Sequence, residues 1–210
     1  MKLKKKIPWV LFAITALFMT AIFSLKYRHQ FYQKYINWNN SAEIVMFGDS
    51  HTANGKWNST INQNPVLKLG WGGYTSEMLV DKISLSVPFK PKYVFILCGG
   101  NDIYQDSFTV ENTLNNLKLM ADTLKNSSIT PVFQKLMYQH KNPKFNTTID
   151  SINNALTNYC LKEQIDLLDI GKDMYDSTGL KASLTIDNLH LNKKGYAIWS
   201  KAINNYLNSY

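Results

Sequence analysis

Five apolar runs of strand length, at residues 43–47, 66–69, 93–98, 130–136 and 165–170, constrain this chain more than any other feature, because segments of helical periodicity separate them. The helical segments are 76–87, 110–125, 148–164 and 193–207; in the second, Leu114, Leu117, Met120, Ala121 and Leu124 fall on one stripe. Val94-Phe95-Ile96-Leu97 is apolar on both sides of a pleated strand, so each face of the sheet needs a cover of helices. The alternation predicts a three-layer α/β/α sandwich around a parallel five-stranded sheet, spanning residues 43–210. Ligands of such sheets bind beyond the carboxyl ends of the strands, so chemistry is expected in the residues that follow each run.

Ahead of that domain, Lys2, Lys4, Lys5 and Lys6 precede an uncharged run, residues 7–25. As a helix it would span roughly 28 Å, close to the thickness of a bilayer core. It is longer than a signal-peptide apolar region and lacks a convincing cleavage site, so residues 1–25 are expected to form an uncleaved membrane anchor. Residues 26–42, with Tyr27, Phe31, Tyr32, Tyr35 and Trp38, read as a membrane-proximal connector. The flanking cations favour the amino terminus in the cytoplasm and the domain outside it.

The formal net charge of +8 is concentrated in the same region. Residues 1–42 hold seven of the 23 Lys/Arg and no acid, leaving sixteen cations against fifteen acids in the rest. A nearly neutral domain lacks the clustered cations that grip a phosphate backbone, which excludes a nucleic-acid partner. Cys98 and Cys160, 62 positions apart, could pair or stay as buried thiols; the expectation is free thiols.

Three polar, glycine-bearing clusters follow the first three strands. Gly48-Asp49-Ser50-His51 lifts Ser50 onto the sheet edge, either as a nucleophile or as a cap of the helix that follows. Gly70-Trp71-Gly72-Gly73-Tyr74 and Gly99-Gly100-Asn101-Asp102 reach the same edge. Near the end of the chain, Asp187 precedes His190 by three residues, a spacing that lets the carboxylate accept from Nδ1 and leaves Nε2 free to take a hydroxyl proton. Asn192 is placed to cap the last helix. His29, His51, His140 and His190 show no metal-ligand spacing, and no metal or cofactor is expected.

Taken together, these blocks, in this order, resemble the SGNH or GDSL hydrolase family over the whole of residues 43–210. The resemblance implies a flavodoxin-like sandwich, with Ser50 as nucleophile and His190 and Asp187 completing a triad. It also implies an oxyanion hole from Ser50, Gly73 and Asn101, with Gly72 as the alternative register for Gly73. His51 stands where the family more usually has an aliphatic or small residue. His51, Trp71, Tyr74 and Tyr104 flank the expected site and are candidate substrate contacts. The implied activity is a serine esterase acting on small acyl groups, chiefly O-acetyl esters of envelope or extracellular carbohydrate, with acylated small molecules or lipids as other substrates. Acyl transfer to a sugar hydroxyl and a non-catalytic binding module of the same fold stay open at this point.

Overall fold

In the computed structural model, which describes residues 42–62 and 65–209, the five runs become β1 (Ile44–Gly48), β2 (Val66–Gly70), β3 (Tyr93–Leu97), β4 (Thr130–Gln134) and β5 (Asp166–Leu168). All neighbours pair in parallel, in the order β2-β1-β3-β4-β5. This is the doubly wound order of flavodoxin-like sheets, with its switch point between β1 and β3.

Every residue of β1 and β3 is buried, as expected for central strands covered on both faces. Alternate side chains separate the two cores. Ile44 and Met46 join Trp57, Trp199 and Ile203 on one face, and Val45 and Phe47 join Leu79, Leu117, Met120 and Leu124 on the other. The helices are α1 (Ser50–Asn54), α2 (Ser76–Val80), α3 (Val110–Lys125), α4 (Pro143–Glu163) and α5 (Lys193–Leu207). α5 covers the first face and α2 with α3 the second, while α4 gives Phe145, Ile149 and Ile152 to one core and Leu156 and Cys160 to the other. Trp57 and Trp199 meet edge to face at 4.7 Å, a contact worth about 1 kcal/mol beyond the area it buries.

Two helices differ from the sequence expectation. The segment 76–87 is a short α-helix ending at Val80 and then a 3₁₀ stretch, Ile83–Phe89. Pro88 has no N–H to continue a helix, and the hydroxyls of Ser84 and Ser86 donate back to the carbonyls of Asp81 and Ile83. α4 begins at Pro143 rather than near residue 148, because the Asn142 side chain accepts from the Phe145 amide and Pro143 suits the first turn. A hairpin of β6 (Tyr175–Asp176) and β7 (Gly179–Leu180) was not foreseen.

The expected anchor at residues 1–25, and the connector at 26–42 apart from Ala42, lie outside the described residues. Among the described residues, no helix is long and apolar enough to cross a membrane. Cys98 and Cys160 are both free and buried.

Candidate active site

The site is built from the carboxyl ends of β1, β2 and β3 and from the loop before α5. β1 ends at Gly48, where an added Cβ would stand 2.0 Å from the Leu97 carbonyl oxygen; only glycine lets the two strands come so close before the chain turns. Asp49 then caps α1, its carboxylate accepting from the His51 amide at 3.0 Å. The capping role open to Ser50 thus falls to Asp49, and Ser50 is the half-buried first residue of α1, at the switch point of the sheet. From β2, Lys68 donates to the carbonyls of Ala53 (2.6 Å) and Gly55 (3.3 Å), closing the far end of α1. Partial burial lowers the Lys68 ammonium below its ordinary range.

His190 reaches Ser50 from 140 positions away. Its Nε2 lies 3.0 Å from Ser50 Oγ, and its Nδ1 lies 2.7 Å from Asp187 Oδ2. The other oxygen of Asp187 accepts from the amides of Leu189 (3.0 Å) and His190 (2.6 Å), so one carboxylate shapes the loop and aims the ring. Partial burial works to raise the Asp187 carboxyl, but the bonds from the His190 ring and from these amides outweigh it and hold the group at about 2. An ionised Asp187 keeps the imidazole proton on Nδ1 and turns the Nε2 lone pair towards the hydroxyl. The loop is braced from both ends: Thr185 Oγ1 donates to the His190 carbonyl at 2.8 Å, and Asn192 caps α5 as expected while donating to Ser183.

The other two clusters are clamped together. Asn101 Nδ2 donates to the Tyr74 carbonyl at 2.9 Å. The buried carboxylate of Asp102 accepts from the Ser76 amide at 2.7 Å, from the Ser76 hydroxyl and from Thr113 Oγ1 at 2.8 Å. Neighbouring side chains after β3 therefore hold the 70–76 loop in place. Gly73 in that loop adopts φ +75° with nothing within 4 Å of a Cβ position, so its glycine meets a backbone demand rather than a steric one.

Ser50, His51 and Asn101 line a pocket of about 30 Å³ whose apolar wall includes Leu97, Met137 and Phe145. Tyr104 lines it too, stacked on Phe145 at 5.7 Å, with its hydroxyl accepting from Gln139 at 2.6 Å. Trp71 and Tyr74 do not line this pocket; Trp71 packs edge-on against Phe47 and stacks on Tyr74. Two buried groups beside Ser50 are strongly shifted. Burial raises the Asp49 carboxyl to about 7, and burial together with nearby His190 lowers the His51 imidazole to about 4. Sequence reasoning assigned no role to Asp49, to Asp102 or to Tyr196, whose hydroxyl donates to the His51 carbonyl. The only available signal was that both acids sit inside polar blocks already singled out. Among the described residues, no three His, Cys, Asp or Glu side chains converge as a metal-ligand set.

Residues 46–198 match the model of the GDSL-like lipase/acylhydrolase family. The chain is 26% identical over 157 residues to an N-acylneuraminate cytidylyltransferase of Streptococcus agalactiae; the match takes in 74% of this chain and 36% of that protein. It thus spans little more than a third of the length of the first curated relatives it matches. The fold superposes on a lipase/acylhydrolase from Enterococcus faecalis with TM-score 0.69 at 22% identity, covering 80% of this chain and 96% of that one. An acetyl xylan esterase superposes with TM-score 0.69 at 18% identity, covering 78% of this chain and 98% of that one.

Proposed function

The chain belongs to the GDSL-like lipase/acylhydrolase family, and we propose that it is a serine ester hydrolase that removes short acyl groups, chiefly O-acetyl, from envelope or extracellular carbohydrate. The observation that carries this reading is the unbroken hydrogen-bonded run from Asp187 through His190 to the Ser50 hydroxyl.

In the proposed reaction, His190 Nε2 takes the Ser50 proton as Oγ attacks the ester carbonyl, and Asp187 stabilises the imidazolium. The oxyanion is met by the Ser50 and Gly73 amides and by the Asn101 side chain, donors worth about 2.7–4 kcal/mol of barrier each. The imidazolium then protonates the departing alcohol, leaving an acyl-enzyme. His190 next activates a water that releases the acid and regenerates Ser50.

Pocket size supports a short acyl group: about 30 Å³ is room for an acetyl end and not for a fatty chain. The name of one similar protein, an acetyl xylan esterase, supports a carbohydrate alcohol. Partial exposure of the His190 and Asp187 side chains, 25% and 48%, gives water access to the acyl-enzyme and favours hydrolysis over transfer. The uncharged run 7–25 supports a membrane-held protein with this domain on the extracytoplasmic side.

The test is to treat the full chain with a fluorophosphonate and with nitrophenyl esters of increasing acyl length. Covalent labelling lost in Ser50→Ala, with acetate cleaved faster than longer chains, is the expected result. Absence of both labelling and hydrolysis would refute the esterase.

A further inference from the structure

A second cavity, a groove of about 480 Å³ with a mixed polar and apolar lining, lies against the same loop that walls the pocket at Ser50. Residues 137–146 form the divide. Met137 and Phe145 face the pocket beside Ser50, whereas Tyr138, Lys141 and Asn146 face the groove. The hairpin of β6 and β7 supplies the opposite wall through Asp176 and Thr178. The divide is pinned on both sides: the His140 amide donates to the Asn188 carbonyl at 2.8 Å, next to Asp187, and the Lys141 amide donates to the Thr178 carbonyl at 2.7 Å.

The two cavities are complementary in size. The pocket at Ser50 is small, while the groove falls in the range of about 300–1,000 Å³ usual for small-molecule sites. Its groups are of mixed hydrogen-bonding sense, and two of them are held in place. Tyr138 is fixed by a hydroxyl bond to Asp150 and by its ring against Tyr175 at 4.5 Å. Asp176 is fixed by the Thr178 amide (2.8 Å) and hydroxyl (2.6 Å). Lys141 is held at φ +52°, a conformation uncommon for a side chain with a Cβ, and it makes no ion pair among the described residues. An ammonium donor facing carboxylate acceptors suits a polyhydroxylated ring, which offers donors and acceptors together. Two carboxylates against one ammonium disfavour an acidic sugar.

We propose that this groove binds a neutral sugar ring of the carbohydrate whose ester is cleaved at Ser50, a subsite that rests on the esterase reading above. The test compares nitrophenyl acetate, which has no sugar, with acetylated xylan and acetylated glucomannan as substrates of the full chain. The wild type is expected to favour at least one polymer by tenfold or more in kcat/KM. That preference should fall at least tenfold, through KM for the polymer, in Lys141→Gly, which fits the left-handed backbone, and in Ser177→Trp, which fills the groove from an exposed turn. An unchanged preference in both variants would overturn the subsite, as would equal losses on both kinds of substrate. So would a wild type that cleaves nitrophenyl acetate but neither polymer, and in these three cases the esterase stands. A wild type that neither reacts with fluorophosphonate nor cleaves any ester refutes the esterase and the subsite with it.

Discussion

The Tyr196 hydroxyl donates to the main-chain carbonyl of His51 across 2.7 Å, joining the first turn of α5 to the helix that begins with Ser50. α5 starts just after the His190 loop, so this bond adds to those that hold His190 against Ser50. In Tyr196→Phe, loss of a single hydrogen bond should cost about 1 kcal/mol of stability. The looser Ser50–His190 geometry should lower kcat by about tenfold with little change in KM. Thermal unfolding and steady-state kinetics on nitrophenyl acetate check both.

Asp187→Asn should lower kcat by about 10³–10⁴, because an amide can donate to Nδ1 and so favour the tautomer with Nε2 protonated. Its side chain is 48% exposed, so the unfolding midpoint should barely move. A large fall in stability alongside the fall in rate would point to a scaffolding role instead.

Asn101→Ala should lower kcat by about 10²–10³ and leave KM nearly unchanged, as expected for a donor engaged mainly in the transition state. Gly73→Ala has no neighbour to strike, so its cost is the left-handed backbone alone, about 1–2 kcal/mol. Rates and denaturation midpoints of the two variants separate the roles.

The buried pair flanking Ser50 should oppose each other in their effect on stability against pH. Folded Asp49 keeps its proton to about 7, whereas the unfolded chain loses it near 3.8, so this group makes stability fall as pH rises across that window. Folded His51 stays neutral down to about 4, whereas the unfolded chain takes up a proton near 6.5, so this group makes stability fall as pH drops from 6.5 towards 4. The wild-type profile should therefore be muted. Asp49→Asn keeps the capping acceptor and should leave stability rising with pH between 4 and 6.5; His51→Gln should leave it falling between 4 and 7. Urea midpoints from pH 4 to 8 read the two slopes, and parallel slopes in the two variants would contradict the assignment.

The sheet was legible because its strands are apolar on both faces, and each observed strand lies within a residue or two of its apolar run. The Ser50, Asn101, Asp187 and His190 blocks were legible for a different reason: each is a short local pattern that the α/β order brings to one sheet edge. What escaped was set by contacts distant in sequence. Asp102 reaches Ser76, 26 positions away, and Tyr196 reaches His51, 145 positions away. The turn of Trp71 and Tyr74 away from the pocket depends on packing against Phe47, which no periodicity encodes. The break after Val80 was readable in principle, since Pro88 and two hydroxyl residues stood in the segment.

His190 lies three residues before the helix whose Trp199, Ile203 and Leu207 are buried in one core. During synthesis, Ser50 is therefore made 140 residues before the imidazole that its hydroxyl faces. A chain that stops short of residue 190 lacks that imidazole, so on the proposed mechanism turnover would need nearly the whole α/β unit.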